Sequence, residues 1–246
     1  MAIGSGHGSG ALASFYARAN YSFNDKYFVT YTFRYDGSSN FGPKNRWAPF
    51  HAVSGSWKVM NEEFLKSLNN IISDFKIRAG WGQTGNQDIG GYRWGASIIK
   101  MPSNLGMGFR QSNIANPYIT WEKQEQTNLG FDMGFLRGRI NLVVDMYIKK
   151  SSAMLMDMQL PSYMGTRGNV SIRLNPPMGN FGKIENKGIE ISLNTKPLMG
   201  TFSWDNDLQL TFNRNKLLGL DGTPAAHIEG YGQWTDLVSL TEIGDP

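Results

Sequence analysis

Hydrophobic and polar residues alternate one by one along several stretches of the chain. Between residues 27 and 35, Val29 and four aromatic residues occupy every second position, whereas Thr30, Thr32 and Arg34 lie between them. A period of two is typical of a β-strand, because successive side chains point to opposite faces of a sheet. Similar alternation occurs at residues 15–23, 53–59, 75–81, 129–135, 140–148, 189–193 and 202–212. The pattern therefore predicts about eight strands and an all-β fold.

The connections between these strands alternate in length. Short connections follow residues 23, 135 and 196, and a compact one spans residues 61–74. The long connections are polar and glycine-rich, and they cover residues 36–47, 83–118, 151–181 and the tail from residue 216. Bacterial outer-membrane barrels have short periplasmic turns and long extracellular loops. We therefore expect an antiparallel transmembrane β-barrel wall whose long loops lie outside the cell and whose aromatic face contacts the lipid bilayer.

One short periplasmic helix is expected within the compact connection, over residues 61–70. Asn61 is a favourable N-cap residue, and two acidic residues follow it in the first turn. Phe64 and Leu68 then fall on one side of the helix.

The overall composition agrees with a membrane barrel. Charged residues make up 18% of the chain and aromatic residues 13%, and 29 glycines and 10 prolines indicate many turns. The mean hydropathy of -0.36 and the lack of a long apolar run exclude a membrane-spanning helix. A net charge of +4 from scattered Lys and Arg argues against nucleic acid as a partner. Because cysteine is absent, disulfides and Cys–zinc sites are excluded.

Residues 1–10 are rich in glycine but carry no recognisable signal. They lack the charged and apolar regions of a signal peptide. No predicted strand precedes the glycines and no predicted helix follows them, so a phosphate-binding loop is not expected. We interpret this segment as a flexible loop or a tag remnant.

Catalytic and metal sites are weakly supported. The three histidines, His7, His51 and His227, are far apart and do not have the spacing of metal ligands. A hydrolase could combine His51 with Ser38 or Ser39, although serines in such a loop usually form turns. We expect no catalytic residues, no metal and no cofactor, and we expect that the chain is not an enzyme.

Asp205 and Asp207 lie two residues apart on the same face of a predicted strand, an arrangement that could supply the paired carboxylates of a glycosidase. Their polar neighbours favour solvated residues facing the interior instead. By alternation, the predicted inward-facing charges are Arg18, Arg34, Lys58, Lys76, Arg78, Asp132, Asp145, Glu190, Asp205 and Asp207.

Several motifs resemble the SusC/RagA-like TonB-dependent outer-membrane transporters. The resemblance extends over residues 11–220 and depends on the order of the motifs more than on any single one. The segments are YSFNDKY at 21–27, RYDGSSNFG at 34–42, NRW at 45–47, GNQ at 85–87, WEK at 121–123, QTNLG at 126–130 and GKIENKGIE at 182–190.

The resemblance implies a bacterial outer-membrane location and a barrel of roughly 22 strands, of which this chain supplies about eight. Transporters of this family carry a plug domain, pair with a SusD-like lipoprotein lid, receive energy from the TonB complex and import oligosaccharides or oligopeptides. Neither a plug domain nor a signal peptide is recognisable in residues 1–246. We therefore expect a partial TonB-dependent receptor β-barrel domain that reaches TonB through an N-terminal region missing from this sequence.

Tyr92, Arg93 and Trp94 are the candidate contacts for the cargo or a partner, because flat rings and guanidinium groups suit sugars and peptides. They could equally pack their own loop. Two alternative functions stay open, a soluble or surface all-β adhesin or binding module and, with less support, an outer-membrane hydrolase. Four methionines could form an adaptable partner surface or simply fill loops, namely Met154, Met156, Met158 and Met164.

The wall is expected to be open, with the strand of Phe15 at one edge and the strand of Phe212 at the other. Glycines at inward positions would leave a closed eight-stranded barrel underfilled, whereas a wide barrel tolerates them.

Overall fold

In a computed structural model of the chain, an eight-stranded antiparallel sheet dominates the fold. The structure describes residues 10–88, 93–158, 160–166, 173–220, 227–231 and 237–244. The strands of this sheet are β1 (Leu12–Phe23), β2 (Tyr27–Ser38), β3 (Trp47–Lys58), β4 (Ile72–Asn86), β7 (Glu122–Phe135), β8 (Ile140–Asp157), β9 (Met178–Leu198) and β10 (Trp204–Gly219). Two separate hairpins contain β5 (Ile98–Ser103) with β6 (Gly106–Gln111), and β11 (His227–Tyr231) with β12 (Leu237–Glu242).

The strand order in the large sheet is β1-β2-β3-β4-β7-β8-β9-β10. Strands that follow each other in sequence therefore lie side by side, except that the β5–β6 hairpin is inserted between β4 and β7. The strands of Phe15 and Phe212 form the two edges and do not pair with each other, so the sheet is open. Eight strands, their antiparallel pairing and both edges confirm the predictions from the sequence.

The strands of the sheet are joined at their two ends. We call the end with the β2–β3, β4–β7 and β8–β9 connections the loop end, and the opposite end the turn end. Toward the loop end the strands are longer than predicted. Strand β4 continues to Asn86, β8 reaches Asp157 and β9 begins at Met178, within passages that the sequence assigned to loops. The tail assigned to a loop likewise contains the end of β10 and the β11–β12 hairpin. Hydrophobic alternation fades in these extensions because strands that protrude into water need no apolar face.

The predicted helix over residues 61–70 is replaced by two short 3-10 helices, Val59–Asn61 and Glu63–Leu68. Asn61 is not an N-cap. Its side-chain amide donates instead to the backbone carbonyl of Asp25 at 2.8 Å. The predicted cap residue thus ties this connection to the neighbouring β1–β2 turn, and tertiary contacts override the local helix signal. No helix in the described residues is long and apolar enough to cross a membrane.

Aromatic rings mark both ends of one face of the sheet, which we call the aromatic face. At the turn end, Tyr27 and Trp57 stack with ring centroids 6.2 Å apart. At the loop end, Trp47 stacks on Tyr35 at 5.1 Å and on Phe15 at 6.0 Å. Rings at two levels with exposed aliphatic residues between them are typical of a lipid-facing barrel wall. The opposite face, which carries Arg78, is called the polar face below.

Glu62 joins the turn-end rings to the short connections. Its carboxylate accepts hydrogen bonds from Lys26 Nζ at 2.8 Å, Tyr27 OH at 2.7 Å and Trp57 Nε1 at 3.1 Å. These donors stabilise the charged form, so the ammonium of Lys26 and then the two rings lower the pKa of Glu62 to about 2. The carboxylate therefore orients both rings at the turn end of the aromatic face.

The two faces predict different costs for the same substitution on β8. Val144 lies on the aromatic face between Phe131 and Ile191, whereas Val143 lies on the polar face next to Asp132. In the full-length protein, Val144→Arg should lower the free energy of unfolding by about 2–4 kcal/mol, as for a charge placed near the bilayer midplane. Val143→Arg should cost much less, and equal losses in a refolding titration would contradict the assignment of faces.

The low pKa of Glu62 predicts a specific acid sensitivity. Above the ordinary carboxyl pKa of 4.5 the folded-state bonds stabilise the protein fully. As the pH falls from about 4.5 through about 2, the unfolded chain takes up the proton first and this stabilisation is lost. The stability difference between the wild type and Glu62→Gln should therefore shrink over this range in denaturant titrations. A difference that stays constant over this range would show that these hydrogen bonds do not stabilise the charged carboxylate.

Candidate functional site

The polar face carries a charged cluster that spans three strands. Arg78 on β4 donates from Nε to Asp132 Oδ2 on β7 at 2.9 Å and from Nη2 to Asp132 Oδ1 at 2.7 Å. The same Nη2 also donates to Asp145 Oδ1 on β8 at 3.0 Å. One guanidinium therefore binds two carboxylates, which confirms that these three predicted inward-facing residues share a face.

A glycine makes the longer of these bridges possible. Gly130 lies directly between Arg78 and Asp145 in the strand register. A Cβ at Gly130 would lie 2.5 Å from Asp145 Oδ1 and 2.7 Å from Arg78 Cζ. Because glycine has no side chain, two side chains from non-adjacent strands meet above its backbone.

Other polar-face glycines are covered in the same way. A Cβ at Gly188 would lie 2.8 Å from the Tyr147 hydroxyl oxygen, and one at Gly182 would lie 2.9 Å from Met154 Cβ. Neighbouring side chains thus fill the space above the glycines, so the polar face is a contoured surface with mixed charge. Glu190 is next to Asp145 in the register and Lys76 is next to Asp132.

At the loop end, a small hydrophobic core holds the long connections together. Phe41 from the β2–β3 loop and Ile119 from the segment before β7 are fully buried. Trp121 packs against Phe41 at 5.0 Å and against Phe50 at 5.7 Å between ring centroids. Together with Ala48, these residues form the loop core, the hydrophobic cluster of the described chain. Apolar burial is therefore concentrated among the loops and not on the faces of the sheet.

The β2–β3 loop is also fixed by hydrogen bonds. Ser38 Oγ donates to Gln87 Oε1 at 2.6 Å, and Asn40 Nδ2 donates to the same Gln87 oxygen at 2.9 Å. Asn40 also donates to the backbone carbonyl of Gln87 at 3.0 Å. Gln87 of the GNQ motif thus joins the end of β4 to Ser38 and Asn40 of the DGSSN segment.

Asparagine side chains tie further connections together through backbone groups. Asn45 donates to the carbonyl of Ile119 at 3.2 Å, and Asn116 donates to the carbonyl of Met178 at 2.7 Å. Asn180 accepts from the Thr120 amide and donates to the Thr120 carbonyl, both at 2.8 Å. Loops that are distant in sequence therefore form one hydrogen-bonded body around the loop core.

The three predicted contact residues fall in this region. Tyr92 lies outside the described residues. Arg93 forms an ion pair with Asp157 at the end of β8, with Nη2 2.6 Å from Oδ1. Trp94 packs against the loop core, and a Cβ at Gly42 would lie 3.5 Å from its ring. Trp94 therefore has a packing role, and Arg93 is held in place at the loop end.

The β5–β6 hairpin presents a second surface that the sequence did not reveal. Ile98, Met107 and Phe109 lie on one face of this hairpin by strand alternation, and all three are more than half exposed. The nearby Tyr118 is even more exposed. The sequence suggested only a polar, glycine-rich passage here, although the GMGF segment at 106–109 does alternate apolar residues with glycine. We call this surface the hairpin face.

The structure does not assemble the catalytic groups considered from the sequence. Ser38 donates to Gln87, while His51 Nδ1 is 2.8 Å from the Tyr31 hydroxyl on the aromatic face. Asp207 accepts a hydrogen bond from Asn194 at 2.7 Å, as a solvated wall residue would. Within the described residues, no group of three or more potential ligands surrounds a metal position. His7 lies outside the described residues.

The methionines divide between packing and exposure. Met154 and Met156 lie over Gly182, and Met178 packs against the loop core. Met164 is exposed. Met154 and Met156 therefore have packing roles, whereas a partner surface at Met164 stays a prediction.

The large sheet is open and antiparallel, with one polar face and one face that carries aromatic rings at both ends. It also has short turns at one end and hydrogen-bonded loops at the other. These features define a transmembrane β-barrel wall. Residues 4–235 match the family described as TonB dependent receptor-like, beta-barrel. The chain belongs to this TonB-dependent receptor family, which sits in the outer membrane, and it is of the SusC/RagA type.

Individual relatives agree with this assignment. The TonB-dependent receptor SusC of Bacteroides thetaiotaomicron is 36% identical over 220 residues, covering 86% of this chain and 21% of the relative. TonB-dependent receptor P26 of Formosa agariphila is 32% identical over 217 residues, covering 86% and 21%. The solved RagAB peptide importer in its closed-closed state has a TM-score of 0.82 at 28% identity, covering 96% of this chain and 25% of that chain.

The chain spans about a fifth of the length of the relatives it matches. These relatives are receptors and an importer, which agrees with the expectation that the chain is not an enzyme.

The geometry at Gly130 predicts a site-specific packing defect. In the full-length protein, Gly130→Ala should separate Arg78 from Asp145 and lower the free energy of unfolding by about 1–3 kcal/mol. Gly80→Ala is the matched control, because a Cβ there would meet nothing closer than 3.6 Å. That control should change stability by less than about 0.5 kcal/mol. Equal effects in denaturant titrations would show that the charged cluster does not depend on the glycine.

Proposed function

We propose that this chain forms part of the wall of an outer-membrane transporter that imports oligosaccharides or oligopeptides, together with a SusD-like lipoprotein lid and energy from TonB. The observation that carries the proposal is the body of joined loops at the end of a membrane-spanning wall. Such a rim gives a lid protein a defined platform. The likeness to SusC and to the RagAB peptide importer supports the same function.

The polar face supports transport of polar cargo. In the proposed transporter it lines the interior, where Arg78, Asp132 and Asp145 offer both signs of charge. Because their mutual bonds satisfy these groups, the lining is hydrophilic without holding one strongly attracting charge. This suits passage of a polar molecule, or contact with a polar plug, better than tight retention.

The hairpin face supports contact with the lid. Exposed apolar residues grouped at the loop end are unfavourable in water and mark an interaction surface. Phe109 is the largest of them, and aromatic residues are enriched among the anchors of protein interfaces. We assign this face to the lipoprotein.

Tyr92, Arg93 and Trp94 are proposed as cargo or lid contacts with divided roles. Trp94 anchors the segment against the loop core, and the ion pair with Asp157 orients Arg93. Trp94→Ala should therefore act indirectly, by loosening the segment, whereas Arg93→Ala removes a group available to the ligand.

The lid contact can be tested with two phenylalanines of equal exposure. Phe109 is 67% exposed at the loop end and Phe64 is 66% exposed at the turn end. In the full-length protein, Phe109→Glu should weaken binding of the lipoprotein by roughly 30-fold, as expected for an aromatic anchor worth about 2 kcal/mol. Phe64→Glu should leave the affinity unchanged in surface plasmon resonance.

Uptake measurements in cells test the transport function itself. Cells that lack the full-length protein should fail to take up the labelled oligosaccharide or peptide, and disruption of TonB should have the same effect. Arg93→Ala and Trp94→Ala belong in the same assay. Undiminished uptake without the protein would exclude a transporter and favour an adhesin, while turnover of a cargo that depends on His51 would favour a hydrolase.

A further inference from the structure

The aromatic face changes character at the loop end of its last three strands. On β9 the apolar residue Ile189 is followed at the next position on that face by Lys187, and on β10 Phe212 is followed by Arg214. Lys187 and Arg214 are direct partners in the strand register. Two cationic side chains therefore lie side by side where the apolar part of the aromatic face ends, next to the charged residues Lys150, Glu185 and Lys216.

Their height matches the outer boundary of the bilayer. Trp204 marks the turn end of β10 on the aromatic face, and ten residues separate it from Arg214. At about 3.3 Å per residue and a strand tilt of about 40°, this distance corresponds to about 25 Å across the membrane. The apolar band of outer-membrane barrels has the same height. Arg214 and Lys187 thus lie where lipid headgroups begin.

The surrounding charges leave this pair uncompensated. Glu185 is 3.6 Å from Lys150 on the neighbouring strand, and Lys216 is its register partner on the other side. In the part of the chain that the structure describes, neither Lys187 nor Arg214 has a carboxylate within ion-pair distance. Basic residues at lipid-facing positions are favourable where anionic headgroups supply the counter-charge.

A groove lies directly against the pair. Its volume is about 390 Å³, and its lining is almost entirely apolar. The side chains on the aromatic face that line it are Met146, Ile148, Lys187, Ile189, Phe212 and Arg214. A cationic rim above an apolar groove is complementary to a molecule that joins a phosphate to a hydrocarbon chain.

We propose that Lys187 and Arg214 bind the phosphate of a phosphorylated lipid in the outer leaflet, with one of its acyl chains in the groove. The proposal rests on the aromatic face contacting lipid and on the loop end lying outside the cell. It does not depend on the cargo or on the lid. The site would place a bound lipid against the middle of β8, β9 and β10.

Native mass spectrometry of the full-length protein can test this site, with monophosphoryl lipid A as the probe. Lys187→Gln combined with Arg214→Gln should weaken lipid binding about 30-fold, or about fivefold for each charge removed. Lys187→Arg combined with Arg214→Lys keeps both charges and should retain binding. The matched control is Arg18→Gln combined with Lys149→Gln, which removes two positive charges from the polar face and should leave binding unchanged.

Three outcomes would overturn the proposal. Equal binding of the enzymatically dephosphorylated lipid would show that the groove alone acts. Equal losses in the polar-face control would show a general effect of net charge. Heat-modifiable gel mobility can confirm that the Lys187→Gln, Arg214→Gln variant is folded. Full lipid binding by this folded variant would exclude both residues from the site. Inorganic phosphate at the same concentration should not displace the lipid, because it lacks the acyl chain.

Discussion

Backbone hydrogen bonding between strands is the constraint on which the whole structure depends. Inside a bilayer no water is available, so each backbone amide and carbonyl has to find its partner on a neighbouring strand. The six inner strands of the large sheet, β2, β3, β4, β7, β8 and β9, have a partner on each side within the chain, whereas β1 and β10 each leave one edge unpaired within the described sheet. In the membrane, these two edges need further strands, and a wide barrel supplies them.

This constraint also decides where hydrophobic burial can occur. The aromatic face contacts lipid, and the polar face borders the interior, so neither face of the sheet forms a protein core. The loop core around Trp121 instead collects the buried apolar residues above the membrane. Stability within the wall comes from the strand ladders and from cross-strand groups such as Arg78 with Asp132, while the loops are stabilised as a small globular domain would be.

The sequence predicted the wall well because alternation is a direct consequence of strand geometry. The strand of Phe15, the strand of Phe212 and the inward position of Arg78 all follow from a period of two. The prediction of Asn61 as a helix N-cap was wrong because its side chain binds the backbone of Asp25. No local sequence signal encodes this contact. The hairpin face was not predicted because Gly106 and Gly108 flank Met107, so this stretch resembles a glycine-rich loop. The pairing of Arg78 with Asp145 needs the register of three strands, which the sequence does not contain.

The asparagine and glutamine bonds at the loop end have a mechanical consequence. Asn45, Asn116, Asn180 and Gln87 connect backbone segments that lie far apart in sequence, so tension on one loop is shared by most strands of the wall. Moving one loop alone would therefore break hydrogen bonds to segments of other loops. In the proposed transporter, a movement that leaves these hydrogen bonds intact would have to come from parts outside them, such as a lid protein docked on the β5–β6 hairpin.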